Sequence, residues 1–201
     1  MPLHYLALGD SYSIGESVAA DARWPVQLVR RLRKAGIVID DPRIIAVTGW
    51  TTDELAHGMD EAQIPPPFDL VTLQIGVNNQ YRGRSAGDYR LQFSGLLARA
   101  ITLADHRAGR VIVVSIPDWG VTRFASEQAR DPALIARELD TYNAIARDET
   151  TRAGARFVDI TRLSRKHPEL VAADGLHPTD RQYSLWVDSI APIALGALRA
   201  H

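Results

Sequence analysis

The sequence predicts an open α/β fold: one doubly wound domain over residues 1–201, with a five-stranded parallel sheet and helices on both faces. Two observations carry this expectation. Five short apolar runs alternate with longer stretches whose apolar residues recur every three or four positions, the order of repeated strand–helix–strand units. The middle runs, 70–75 and 111–116, are almost continuously apolar, as strands covered on both faces must be. No internal repeat, low-complexity tract or interdomain linker breaks the 201 residues, and that length suits a single domain with a substantial core.

The first strand is read over residues 3–8. A helix over 24–35 follows, with Val26, Leu28, Val29 and Leu32 on one face and Gly36 just past its end. The second strand, 43–47, leads to a helix over 52–61 that Thr51 or Thr52 can cap, with Glu54 nearby. Pro65-Pro66-Pro67 fixes the approach to the third strand, 70–75. The next helix, 89–105, carries Leu91, Phe93, Leu96, Leu97, Ala100 and Ile101 at helical spacing. The fourth strand covers 111–116. The helix over 132–153 presents Leu134, Ile135, Leu139, Tyr142, Ile145 and Ala146 and closes before Gly154. A fifth strand, 156–160, precedes a final helix over 179–199, which Pro192 is expected to disturb or interrupt.

Composition removes several classes of function. A formal net charge of -1 gives no electrostatic ground for a nucleic-acid partner. With 0 cysteines, disulfides, thiol catalysis and thiolate metal sites are excluded. The first residues lack a basic stretch followed by a long apolar one, and no apolar run reaches bilayer length. The expectation is a cytoplasmic protein without stable membrane insertion. Gly9 is not followed by the Gly-Lys-Ser/Thr of a nucleotide-binding loop.

In a parallel sheet, ligand chemistry gathers beyond the carboxyl ends of the strands. Ser11 follows the first strand, Gly49 the second and Asn78 the third. Asp174 and His177 follow the fifth after a further connection. All four loops therefore open on one edge. A serine attacks only when a base takes its proton, and His177 is the candidate base. Asp174, three residues earlier, is placed to accept the Nδ1 hydrogen of the ring and set its tautomer. The backbone N–H groups of Ser11 and Gly49 and the side-chain amide of Asn78 are candidate oxyanion donors. Taken singly, Ser11 reads equally as a helix cap, Gly49 as a turn glycine, and Asp174 with His177 as a turn and capping pair.

Taken together, Gly9-Asp10-Ser11-Tyr12, Gly49, Gly76-Val77-Asn78-Asn79 and Asp174-Gly175-Leu176-His177 resemble the four blocks of the SGNH (GDSL-type) hydrolases, in order and across nearly the whole chain. The resemblance implies a flavodoxin-like three-layer α/β/α sandwich and a serine esterase, lipase or acylhydrolase acting without metal or other cofactor. It matches Ser11, Gly49, Asn78 and His177 to the family's four named residues and Asp174 to its acid. The third block usually ends in Asp, where this chain has Asn79. The expected substrate is a small, short-chain acyl ester. Lysophospholipase, thioesterase and carbohydrate deacetylase are neighbouring readings, and a catalytically silent ligand-binding module is the non-enzymatic one. Asp10 is expected to order its loop. Trp50, Asn79 and Trp119 are candidate substrate-binding residues. Packing is expected of Tyr12 and Tyr81, solvation of Arg82 and Arg84, and surface or structural roles of His4, His57, His106, His167 and His201.

Overall fold

The computed structural model describes residues 1–199. Five parallel strands form one sheet in the order β2-β1-β3-β4-β5: β1 Tyr5–Gly9, β2 Arg43–Ala46, β3 Leu70–Gln74, β4 Val111–Val114 and β5 Arg156–Val158. Every residue of β1, β3 and β4 is buried. Their side chains enter apolar layers above and below the sheet, which is why the sequence shows continuous apolar runs there and not alternation. Inside the sheet, Thr72 is satisfied by the Tyr5 hydroxyl at 2.9 Å.

Nine α-helices cover the sheet among the described residues: α1 Ser11–Ile14, α2 Trp24–Lys34, α3 Thr52–Glu61, α4 Val77–Tyr81, α5 Ala86–Leu103, α6 Arg123–Glu127, α7 Pro132–Arg152, α8 Thr161–Lys166 and α9 Asp180–Arg199. α2 packs on α9 over one face, while α3, α5 and α7 lie side by side over the other. The result is the expected three-layer α/β arrangement. α3 begins where expected, at a capping box in which Glu54 accepts from the Thr51 N–H at 2.8 Å. α5 starts three residues earlier than its periodicity suggests, because Ser85 accepts from the Asp88 N–H. It ends sooner because Asp105 and His106 both take φ +57.

The expectation for Pro192 is corrected. α9 runs through it. A mid-helix proline costs about 3 kcal/mol, and burial of Trp186, Val187, Ile190, Ala191 and Ala194 on the sheet and α2 offsets that. The strand order places a topological switch point between β1 and β3, where the connections leave toward opposite faces. Ser11 and Asn78 sit on the two sides of that crevice.

Candidate active site

The Ser11 loop is built by steric exclusion and a cap. A Cβ on Gly9 would lie 2.2 Å from Ser13 Oγ and 2.6 Å from the Gln74 carbonyl oxygen, so only glycine lets α1 fold back over the end of β1. Asp10 is the α1 cap, its Oδ1 accepting from the Tyr12 N–H at 3.1 Å. Asp10 thus orders the loop, as expected. Its Oδ2 is buried without a hydrogen-bond partner. Burial pushes its carboxyl up to about 7, against the pull of the Tyr12 N–H.

The Asp174–His177 loop turns at Gly175, φ +72. Asp174 Oδ1 accepts from the backbone N–H groups of Leu176 at 2.9 Å and His177 at 3.0 Å. Oδ2 meets His177 Nδ1 at 2.6 Å and the Ser17 hydroxyl at 2.6 Å. Burial acts to raise the Asp174 pKa, but the donors from Ser17, Leu176 and His177 outweigh it and hold the carboxyl down at about 2. An ionised carboxylate on Nδ1 fixes the proton there and leaves Nε2 as the acceptor. The ring of Tyr12 stands edge-on to the imidazole, centroids 5.8 Å apart.

The Gly49 loop is held from three sides. Gly49 takes φ +89, a region glycine enters without penalty. Its carbonyl accepts from Arg82 at 2.8 Å, and Arg82 also pairs with Glu54. The Asn78 amide donates to the Trp50 carbonyl at 2.9 Å, which uses one of its two hydrogens. Thr48 is held by the Glu16 carboxylate.

One cavity of about 180 Å3 joins these loops, lined by Ser11, Gly49, Asn78 and His177 on its polar side. Val77, Tyr81, Trp119, Phe124 and Leu176 form an apolar wall. Trp119 thus lines the same cavity as Ser11 and His177. Its indole N–H donates to Gln80 at 2.8 Å, and its ring meets Tyr81 edge-on at 5.4 Å.

Several expectations need correction. Trp50 is absent from the cavity wall. Its indole lies across Gly58, where a Cβ would come within 2.2 Å of the ring, so it faces α3, and only its carbonyl serves the site. Asn79 is fully buried. It accepts from the Thr52 N–H at 3.0 Å and donates to the Thr52 hydroxyl at 2.7 Å, tying α4 to α3 with no face toward substrate. Tyr12 and Tyr81 pack, but both also line the cavity. Arg82 and Arg84 are not merely solvated: Arg84 pairs with Asp53. Residues that sequence reasoning missed are Ser17, Thr48, Phe124 and Leu176. Phe124 arrives on α6, too short for any periodic signal, held by its N–H donating to the Gly175 carbonyl at 3.0 Å.

Of the remaining histidines, His4, His57 and His167 pair with Asp40, Glu61 and Glu169. His106 is exposed, and His201 lies outside the described residues. Among the described residues no group of three or more His, Asp or Glu side chains is arranged to hold a metal ion, and no helix is long and apolar enough to cross a membrane.

Residues 7–185 match the GDSL-like lipase/acylhydrolase family. A GDSL lipase of Mycobacterium tuberculosis (strain ATCC 25618 / H37Rv) is 27% identical over 195 residues, covering 92% of this chain and 79% of its own. Among solved structures, TesA superposes with a TM-score of 0.74 at 16% identity, covering 97% of this chain and 99% of its own. The psychrotrophic esterase EstA from Pseudoalteromonas sp., solved inhibited by monoethylphosphonate, gives 0.74 at 15% identity, covering 98% and 99%. At these identities the two structures speak to the fold.

Proposed function

This chain belongs to the GDSL-like lipase/acylhydrolase family and is a hydrolase acting on esters; from that premise we propose that it works through Ser11, His177 and Asp174 on small, short-chain acyl esters. The observation that supports this reading most is the convergence of Ser11 and His177 on one cavity with Gly49 and Asn78, while Asp174 holds the Nδ1 side of the ring.

The Ser11 hydroxyl attacks the acyl carbonyl carbon as His177 Nε2 takes its proton. The carbonyl oxygen becomes an oxyanion facing the Ser11 and Gly49 N–H groups and the second hydrogen of the Asn78 amide. The tetrahedral species collapses, the C–O bond to the alcohol breaks, and His177 returns the proton to the departing alkoxide. Water then attacks the acyl-serine ester, giving its proton to His177. Collapse releases the carboxylic acid and restores the Ser11 hydroxyl. Asp174, ionised throughout, stabilises the imidazolium that forms twice in the cycle. The apolar wall takes the acyl chain.

A serine-directed phosphonate tests the assignment: mass spectrometry is expected to find a single adduct on Ser11. Ser11→Ala is expected to stay folded and lose turnover by on the order of a millionfold. A folded Ser11→Ala enzyme retaining a tenth of wild-type activity would sink the reading.

A further inference from the structure

We propose that Ser17 is a positioning residue that holds the Asp174 carboxylate in register with His177, an inference that rests on the triad reading above. Ser17 has φ +65. Residues with a Cβ rarely enter this left-handed region; glycine enters freely and asparagine tolerates it. On backbone grounds position 17 therefore suits glycine or asparagine, and the neighbouring turn already uses a glycine, Gly15 at φ +70. A residue kept in a disfavoured conformation points to a job for its side chain. The Ser17 hydroxyl makes one hydrogen bond, to Asp174 Oδ2 at 2.6 Å, across 157 residues of sequence.

That oxygen is the one that receives His177 Nδ1. The other, Oδ1, is held by two backbone N–H groups of its own turn. Ser17 is thus the contact on this carboxylate that comes from the nucleophile's own connection. The link back to Ser11 is short, since the Glu16 N–H donates to the Ser11 carbonyl at 3.0 Å. A run of contacts thus leads from Ser11 through Glu16, Ser17 and Asp174 to His177, so the placement of the base relative to Ser11 is set through Ser17 as well as through the sheet.

The test uses two variants that both suit a positive φ and differ in whether they carry a donor. Ser17→Gly removes the hydroxyl without strain. It is expected to lower kcat on a short-chain p-nitrophenyl ester by about tenfold, the scale of one hydrogen bond to a charged group. KM is expected to stay within roughly twofold, and the thermal midpoint within about 3 °C. Ser17→Asn, which offers an amide donor, is expected to recover most of kcat. In an Asp174→Asn enzyme, Ser17→Gly is expected to add no further loss, because the two act through one contact.

Wild-type kcat in Ser17→Gly would overturn the proposal. So would a loss that Ser17→Asn leaves unrepaired, or a loss repeated in full on the Asp174→Asn background. If Asp174→Asn itself matches the wild type, the triad reading falls and Ser17 falls with it. If Asp174→Asn is impaired and Ser17→Gly is not, Ser17 alone is refuted.

Discussion

Two aspartates near Ser11 are driven in opposite directions, and their effects on stability occupy separate pH windows. The Asp174 carboxyl, held at about 2 by its donors, lies below the roughly 3.9 of a free aspartate. Its contribution to stability is complete above that value and is lost as pH falls through about 2. Asp10, raised to about 7 by burial, works the other way: the folded chain holds its proton more tightly, so stability declines as pH rises from roughly 4 to 7. Asp10→Asn keeps a capping side chain and removes the titration. Its thermal midpoint, measured by scanning fluorimetry, is expected to lose the decline over that window and to exceed the wild type's above pH 7; equal slopes would refute this. Asn78→Ala is expected to cut kcat by roughly a hundred- to a thousandfold, the scale of one oxyanion donor. A rise confined to KM would make Asn78 a binding residue. The gathering of Ser11, Asp174 and His177 at one edge could be read from the sequence because four motifs stand in order and their loops follow strands of one parallel sheet; residue type alone left each of them open to a cap or turn reading. Ser17 and Trp50 could not, since each side chain is aimed by a partner distant in sequence or across a turn, Asp174 in one case and Gly58 in the other.

At the scale of elements, α2, α5 and α7 show themselves by periodicity and α3 by its capping residues, while α1, α4, α6 and α8 are four to six residues long and offer too few turns to repeat a pattern. They nevertheless carry Ser11, Asn78 and Phe124. α4 is so short that an outside contact has to hold it, and Asn79 provides that contact at the start of α3. Because the Asn79 amide donates to the Thr52 hydroxyl, that hydroxyl donates onward to Gln92. Asn79→Ala strands a buried N–H, at a cost of about 1–3 kcal/mol, so the thermal midpoint is expected to fall by roughly 2–12 °C. Asn79→Asp, whose oxygen still meets the Thr52 N–H while the Gln92 amide turns to donate, is expected to fall by less than half as much. Equal falls would show that the contact with the Thr52 N–H is not what matters. The same local-against-global contest explains Pro192: the penalty can be read in the sequence, but the packing that outweighs it comes from α2 and the sheet, which no local window contains.

Across the whole molecule, the sheet brings residues scattered from position 11 to position 177 to one edge, and that much follows from strand order alone. The depth of the pocket does not. It is closed by Trp119 and Phe124 from the connection after β4, whose course depends on contacts with Gly175 and Gln80. A cavity of about 180 Å3 suits acetyl to roughly hexanoyl groups, each buried methylene gaining about 0.8 kcal/mol, with nothing gained once the chain reaches water. In a p-nitrophenyl ester series below the micellar limit, kcat/KM is expected to peak at or below hexanoate; a maximum at dodecanoate or longer would overturn this. The wall itself offers an optical signal. Of the four tryptophans, Trp119 lines the cavity, whereas Trp24 and Trp186 are sealed in the core and Trp50 lies across Gly58. Trp119 is itself only 2% exposed, but an acyl chain laid against its cavity-facing edge changes the contacts of one indole in four, so intrinsic emission is expected to report occupancy, readable in a Ser11→Ala protein that binds ester without consuming it.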